Sequence, residues 1–96
     1  MSTTAISAAV PRRPTALAGR VVAVASHVRP WVRFNVELCD GTGTITLRFL
    51  GRTEVAGIVP GCRLRVEGTP SMEKDGTLLM LNPLYEFVAR APEEAL

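Results

Sequence analysis

Apolar residues recur at every second position through the middle of the chain, between residues 17 and 88, and turn-forming residues interrupt them at regular intervals. Successive side chains of a β-strand point to opposite faces of a sheet, so a period of two is typical of strands that bury one face. The pattern predicts several short antiparallel strands and little helix, which makes the fold class all-β.

The first half of this pattern divides into three predicted strands. Two of them run over residues 20–28 and 31–39 and are separated by Arg29 and Pro30. The third, over residues 44–50, follows the turn sequence Asp-Gly-Thr-Gly, in which glycine supplies positive φ and aspartate bonds the backbone ahead of it. The residues predicted to face the core are Val22, Val24, Val28, Val32, Phe34, Val36, Leu38, Ile45, Leu47 and Phe49.

The second half predicts a short helix and two further strands. Residues 53–58 do not alternate, and their composition predicts one or two helical turns. A fourth strand is predicted over residues 63–71 and a fifth over residues 77–88, where Pro83 requires an edge or a bend. The sequence therefore predicts five strands with one short helix between the third and the fourth.

Size and charge place limits on the class of protein. The chain has 96 residues, of which 47% are hydrophobic, so it can build one compact core. Its formal charge is +2, and ten of its eleven cationic residues are arginine. A planar guanidinium suits phosphate oxygens and stacks on bases, so the charge is compatible with a nucleic-acid ligand.

No catalytic, metal or cofactor site is predicted. Cys39 and Cys62 lack the CxxC spacing of a zinc site, and His27 is distant from both in sequence. Ser26 and His27 are neighbours on a predicted strand, so their side chains point to opposite faces and do not fit a catalytic triad. A non-enzymatic protein without a metal ion or cofactor is therefore expected.

Both ends of the chain are predicted to lie outside the folded domain, which would span residues 17–88. Residues 1–16 mix Ser, Thr, Ala and Pro without a period and predict a flexible N-terminal arm, and residues 89–96 predict a flexible C-terminal tail. No stretch approaches the length of a membrane span, so a cytoplasmic protein without a membrane partner is expected.

Three segments of the chain carry a resemblance to a known family. They are VELCDGTGTITLRFLGR, VPGCRLRVEGTPS and LNPLYEF. This combination resembles the OB-fold nucleic-acid-binding family, above all small stand-alone actinobacterial OB proteins, and it is similar to the wedge OB domain of the RecG branch-migration helicase. The resemblance covers about residues 17–88. It implies a five-stranded Greek-key barrel with a short helix between strands three and four.

The resemblance also implies a binding face on strands two and three, bordered by the loops that follow strands one and four. His27 belongs to the first of these loops. The candidate nucleic-acid-binding residues are Arg29, Trp31, Arg33, Asn35, Thr46, Arg48 and Lys74. Cations would neutralise phosphates, the amide and hydroxyl would bond bases or sugars, and the indole would stack on a base. The implied ligand is single-stranded or junction DNA, and RNA is an alternative for the same face.

Each candidate also has a purely structural interpretation. Trp31 can cover one end of the barrel, and Arg33 and Arg48 can be ordinary solvated arginines. Glu37 shares their outward parity and would repel phosphate unless it pairs with a cation such as Arg48. The low net charge and Glu37 favour an alternative function, a module that docks onto a protein partner through the largely apolar fifth strand or its edge. The sequence leaves these functions and the oligomeric state open.

Overall fold

Seven strands form one hydrogen-bonded sheet in the computed structural model, which describes residues 2–89. In chain order they are β1 (Thr15–His27), β2 (Arg33–Cys39), β3 (Thr44–Leu50), β4 (Arg63–Gly68), β5 (Pro70–Met72), β6 (Leu78–Leu81) and β7 (Leu84–Phe87). Their order across the sheet is β5-β6-β3-β2-β1-β4-β7, and only the β3–β6 pair is parallel. The predicted all-β class is confirmed.

Two interruptions account for seven strands instead of the predicted five. The predicted fourth strand divides at Thr69 into β4 and β5, and the predicted fifth divides at Asn82 and Pro83 into β6 and β7. Thr69 alone separates β4, which pairs with β1, from β5, which pairs with β6. The sheet must therefore curl until its two sides meet along this segment. β7 adds a further strand to the outer edge of β4.

The predicted helix over residues 53–58 is wrong. This segment forms turns, and residues 2–89 contain no α-helix. Gly57 adopts a φ of 82°, which a right-handed helix does not accommodate. Val55 and Ile58 are nevertheless buried, so the turns between β3 and β4 pack onto the core as a helix would. In the described part of the chain, no helix has the length and apolarity needed to cross a membrane.

The N-terminal segment packs against the sheet. A single turn of 3-10 helix, η1 (Ile6–Ala8), precedes β1, and the Ile6 side chain is only 1% exposed and belongs to the core. Two backbone hydrogen bonds attach the segment to strands, from Thr4 N–H to the Ala16 carbonyl (2.8 Å) and from Arg12 N–H to the Pro70 carbonyl (2.8 Å). Residues assigned to an arm by sequence thus include a core residue. Of the predicted tail over residues 89–96, all but Ala89 lies outside the described residues.

The core contains the inward residues of β2 and β3 as predicted, but the buried residues of β1 are not those that the alternation predicts. A β-bulge between Val21 and Ala23 shifts the pairing of β1 with β2. Val21 is therefore buried, although the alternation assigned it outward, and Val24 beyond the bulge packs partly against the core. Three residues predicted to face inward are exposed, and they are Val22, Val28 and Val32.

Candidate nucleic-acid interface

Polar side chains of β2 and β3 share the solvent-facing side of the sheet in a fixed register. Each outward residue of β2 lies opposite one residue of β1 and one residue of β3. These pairings give three rows across β1, β2 and β3. The rows are His27–Arg33–Leu50, Ala25–Asn35–Arg48 and Ala23–Glu37–Thr46. On β6, Leu81 continues the row of Arg48 and Leu79 continues the row of Thr46. We call this surface the outer face.

Four of the seven predicted binding residues lie together on the outer face. Asn35 is directly opposite Arg48, and Thr46 is opposite Glu37. Because Arg33 precedes Asn35 by two residues, Arg33 and Arg48 are diagonal neighbours, and such pairs are about 7–8 Å apart. The strand pairing therefore brings two guanidinium groups into one neighbourhood, where both can reach a single extended ligand.

The guanidinium of Arg48 already has two partners. Its Nε–H donates to Asn35 Oδ1 at 3.0 Å, and its Nη1 donates to Glu73 Oε1 at 3.4 Å. The Arg48 side chain is 21% exposed, so these bonds hold it partly sheltered against the sheet. Glu73 was missed by the sequence analysis, and the available signal was its position next to Lys74 in the turn predicted to border the face.

Glu37 does not pair with Arg48. The interpretation in which Arg48 neutralises the charge of Glu37 is therefore wrong. It is exposed on β2 between Ala23 on β1 and Thr46 on β3. Within residues 2–89 it has no ion-pair partner. The outer face thus combines two arginines with a carboxylate that no cation of the described residues neutralises.

Trp31 and Arg33 contact each other at the end of the outer face. The Arg33 Cζ atom lies 5.0 Å from the centroid of the Trp31 ring, a cation–π distance. Arg33 Nη1 also donates to the backbone carbonyls of Arg29 (2.9 Å) and Trp31 (3.1 Å). The indole remains 50% exposed. Arg33 therefore orders the loop between β1 and β2 while leaving Trp31 accessible, and His27, the last residue of β1, lies opposite Arg33.

Lys74 lies across a groove from the outer face, in the turn between β5 and β6. This groove has a volume of about 450 Å³ and extends from Thr46 and Arg48 to the turn. Lys74 shares the turn with Glu73 and Asp75, so two carboxylates also line the groove. Hydrogen bonds from the side chain and backbone N–H of Thr77 lower the pKa of Asp75 below its ordinary value.

A second groove lies over the β1 side of the outer face. Its volume is about 290 Å³, and the small side chains of Ala23 and Ala25 leave it open beside Asn35 and Glu37. Thr46 lines both grooves. A strand that crosses the outer face from the turn between β5 and β6 towards β1 therefore passes Arg48 on β3 before it reaches Arg33 and Glu37 on β2.

The Asp-Gly-Thr-Gly turn holds η1 in place. Asp40 Oδ1 accepts hydrogen bonds from the N–H groups of Thr42 (2.8 Å) and Gly43 (3.2 Å), and Oδ2 accepts one from Ile6 N–H (2.9 Å). Burial acts to raise the pKa of Asp40, but these bonds and one from the Thr42 hydroxyl outweigh it and lower the pKa. Across residues 2–89, no three His, Cys, Asp or Glu side chains are grouped so as to hold a metal ion.

No protein-family model matches the chain, and no curated protein matches it. It is similar to a chain of a solved structure described as a replication protein A heterotrimer bound to ssDNA. The two share 18% sequence identity with a TM-score of 0.64, and the match covers 83% of this chain and 61% of that one. At this identity the likeness concerns the fold alone, and it supports an OB-like architecture for the curled sheet.

Proposed function

We propose that this chain is a non-catalytic nucleic-acid-binding protein that holds single-stranded DNA on its outer face. The observation that carries the proposal is the arrangement of Arg33 and Arg48 as diagonal neighbours next to the half-exposed indole of Trp31. Guanidinium groups neutralise phosphates, and an accessible indole stacks on a base. Asn35 and Thr46 supply hydrogen-bonding groups between these anchors, and Lys74 supplies a cation on the far side of the groove.

One comparison and one expectation from the sequence bear on this ligand class. The replication protein A heterotrimer named above is described as bound to ssDNA. The sequence resemblance to the wedge domain of RecG adds junction DNA to the ligands that deserve testing. RNA would use the same face, so direct competition of RNA against DNA of the same sequence is the measurement that separates them.

The test is a titration of labelled single-stranded DNA at low and moderate salt. Trp31 is the only tryptophan of the chain, so quenching of its fluorescence reports stacking at this position alone. Arg33→Ala combined with Arg48→Ala should weaken binding and lower the slope of log K against log salt by about 1.4, at about 0.7 per phosphate contact. Trp31→Ala should weaken binding by about 1–3 kcal/mol.

A matched control removes two arginines from outside the outer face. Arg63→Ala combined with Arg65→Ala changes the net charge equally, on β4 beyond β1, and should leave the salt slope close to that of the wild type. Absence of binding at both salt concentrations would overturn the proposal. Equal effects of the two double variants would overturn it as well, because the charge would then act without regard to its position.

A second candidate function has one structural feature in its favour. Within residues 2–89, β7 is an edge strand that pairs with β4 alone, and it exposes apolar side chains, with Leu84 72% and Phe87 52% exposed. An open apolar edge is a common place for a partner chain to add a strand. Pull-down from nuclease-treated lysate, with light scattering of the purified chain, tests this function. Loss of all captured partners on nuclease treatment would oppose it.

A further inference from the structure

The negative charge of Glu37 repels phosphate groups from its part of the outer face. Its carboxylate is exposed between Ala23 and Thr46, and within the described residues no cation pairs with it. An ionised carboxylate only accepts hydrogen bonds. The group of a bound strand that sits against Glu37 must therefore donate them, and in a single strand the unpaired base edges carry such donors.

The orientation of Asn35 adds a donor next to this acceptor. Asn35 Oδ1 accepts the Nε–H of Arg48 at 3.0 Å. A guanidinium has no acceptor, so the amide oxygen must face it, and the Asn35 NH2 group is left to donate elsewhere. Asn35 and Glu37 are two residues apart on β2, about 6.6 Å along the strand on the same face. The outer face therefore presents a fixed donor beside a free acceptor.

The groove over Ala23 and Ala25 provides room for a base next to both groups. It measures about 290 Å³ and is lined by Asn35 and Glu37. A larger side chain on β1 at either alanine position would narrow it. The small residues of β1 thus leave a planar ring free to lie flat with its hydrogen-bonding edge turned towards β2.

We propose that Asn35 and Glu37 read a base edge and make the outer face selective for guanine. The Watson–Crick edge of guanine carries an acceptor, O6, followed by two donors, N1–H and the N2 amino group. Asn35 Nδ2 donates to O6, and the two oxygens of Glu37 accept from N1–H and N2–H. Thymine and uracil place the acceptor O2 against the carboxylate, and adenine and cytosine offer it a single amino group. This inference rests on the proposed function, because it needs a strand on the outer face.

The test compares strands that differ at one base. The probes are thymine tracts of about 12 nucleotides, within the site size of one OB fold, that carry one central guanine, one central inosine or thymine alone. A single guanine per strand cannot build a quadruplex. The wild type should bind the guanine strand about tenfold more tightly than the all-thymine strand, with inosine between them because it lacks the N2 amino group.

Glu37→Gln is the decisive variant. Glutamine donates as well as accepts, so it should tolerate thymine O2 and reduce the preference for guanine to about twofold or less. Glu86→Gln on β7 removes the same charge from another part of the sheet and should keep the full preference.

The outcomes separate this inference from the proposed function. Equal affinity of the wild type for the three strands overturns guanine selectivity but leaves binding intact. An increase in affinity for all three strands by the same factor in Glu37→Gln also overturns it, because Glu37 then acts only as a repelling charge. Failure of every strand to bind overturns the proposed function together with the inference.

Discussion

Replacing Ile6 by alanine removes a buried side chain from the segment that precedes β1. Ile6 is 1% exposed and is part of the core, so three carbon atoms leave an environment without water. At about 0.8 kcal/mol per buried methylene the transfer term is about 2.4 kcal/mol, and the remaining cavity raises the expected loss to about 3–4 kcal/mol. A domain of 96 residues has a free energy of unfolding of about 5–14 kcal/mol, so the loss is a large share of it.

Urea denaturation followed by circular dichroism measures this loss as a lower midpoint at an unchanged slope. Val10→Ala is the matched control, because Val10 belongs to the same segment but is 49% exposed, and it should change the free energy of unfolding by less than about 0.5 kcal/mol. A loss for Ile6→Ala no larger than that of Val10→Ala would refute the packing of this segment. It would then favour the flexible arm that the sequence predicts.

Two further predictions concern charged groups. Asp40→Asn should lower stability at neutral pH by about 1–2 kcal/mol, because it weakens bonds from Ile6, Thr42 and Gly43. The pKa of Asp40 is lowered in the folded state, so its contribution is complete above its ordinary value of 3.8 and disappears as pH falls through the lower folded value. Denaturation of both proteins between pH 7 and pH 2 should thus show the difference shrinking on the acid side, and a difference that grows there would contradict the argument. Glu73→Gln should strengthen binding of single-stranded DNA about two- to fivefold, because it frees Arg48 from a carboxylate 3.4 Å away. Glu86→Gln is the control and should leave the affinity unchanged. Equal gains for the two variants in a binding titration would contradict the role of Glu73.

The local sequence pattern was sufficient to predict the hairpin of β2 and β3, which carries the outer face. The predicted bounds of β3 agree with the structure, and the alternation correctly placed Phe34, Val36 and Leu47 inside. A short turn with favourable residues sets the register of two adjacent strands, and the pleat then decides which side chains point outward. The common outward side of Arg33 and Arg48 follows from these local rules, whereas their role in binding stays a prediction.

The sequence by itself determined the class of the fold and the polar side of β2 and β3, because both depend on neighbours along the chain. Only the tertiary structure decided that Ile6 is a core residue, that a bulge after Val21 changes the parity of β1, and that Glu73 reaches Arg48 across 25 positions of sequence. These features depend on contacts between segments that are distant in sequence. No periodic pattern along a single strand contains that information.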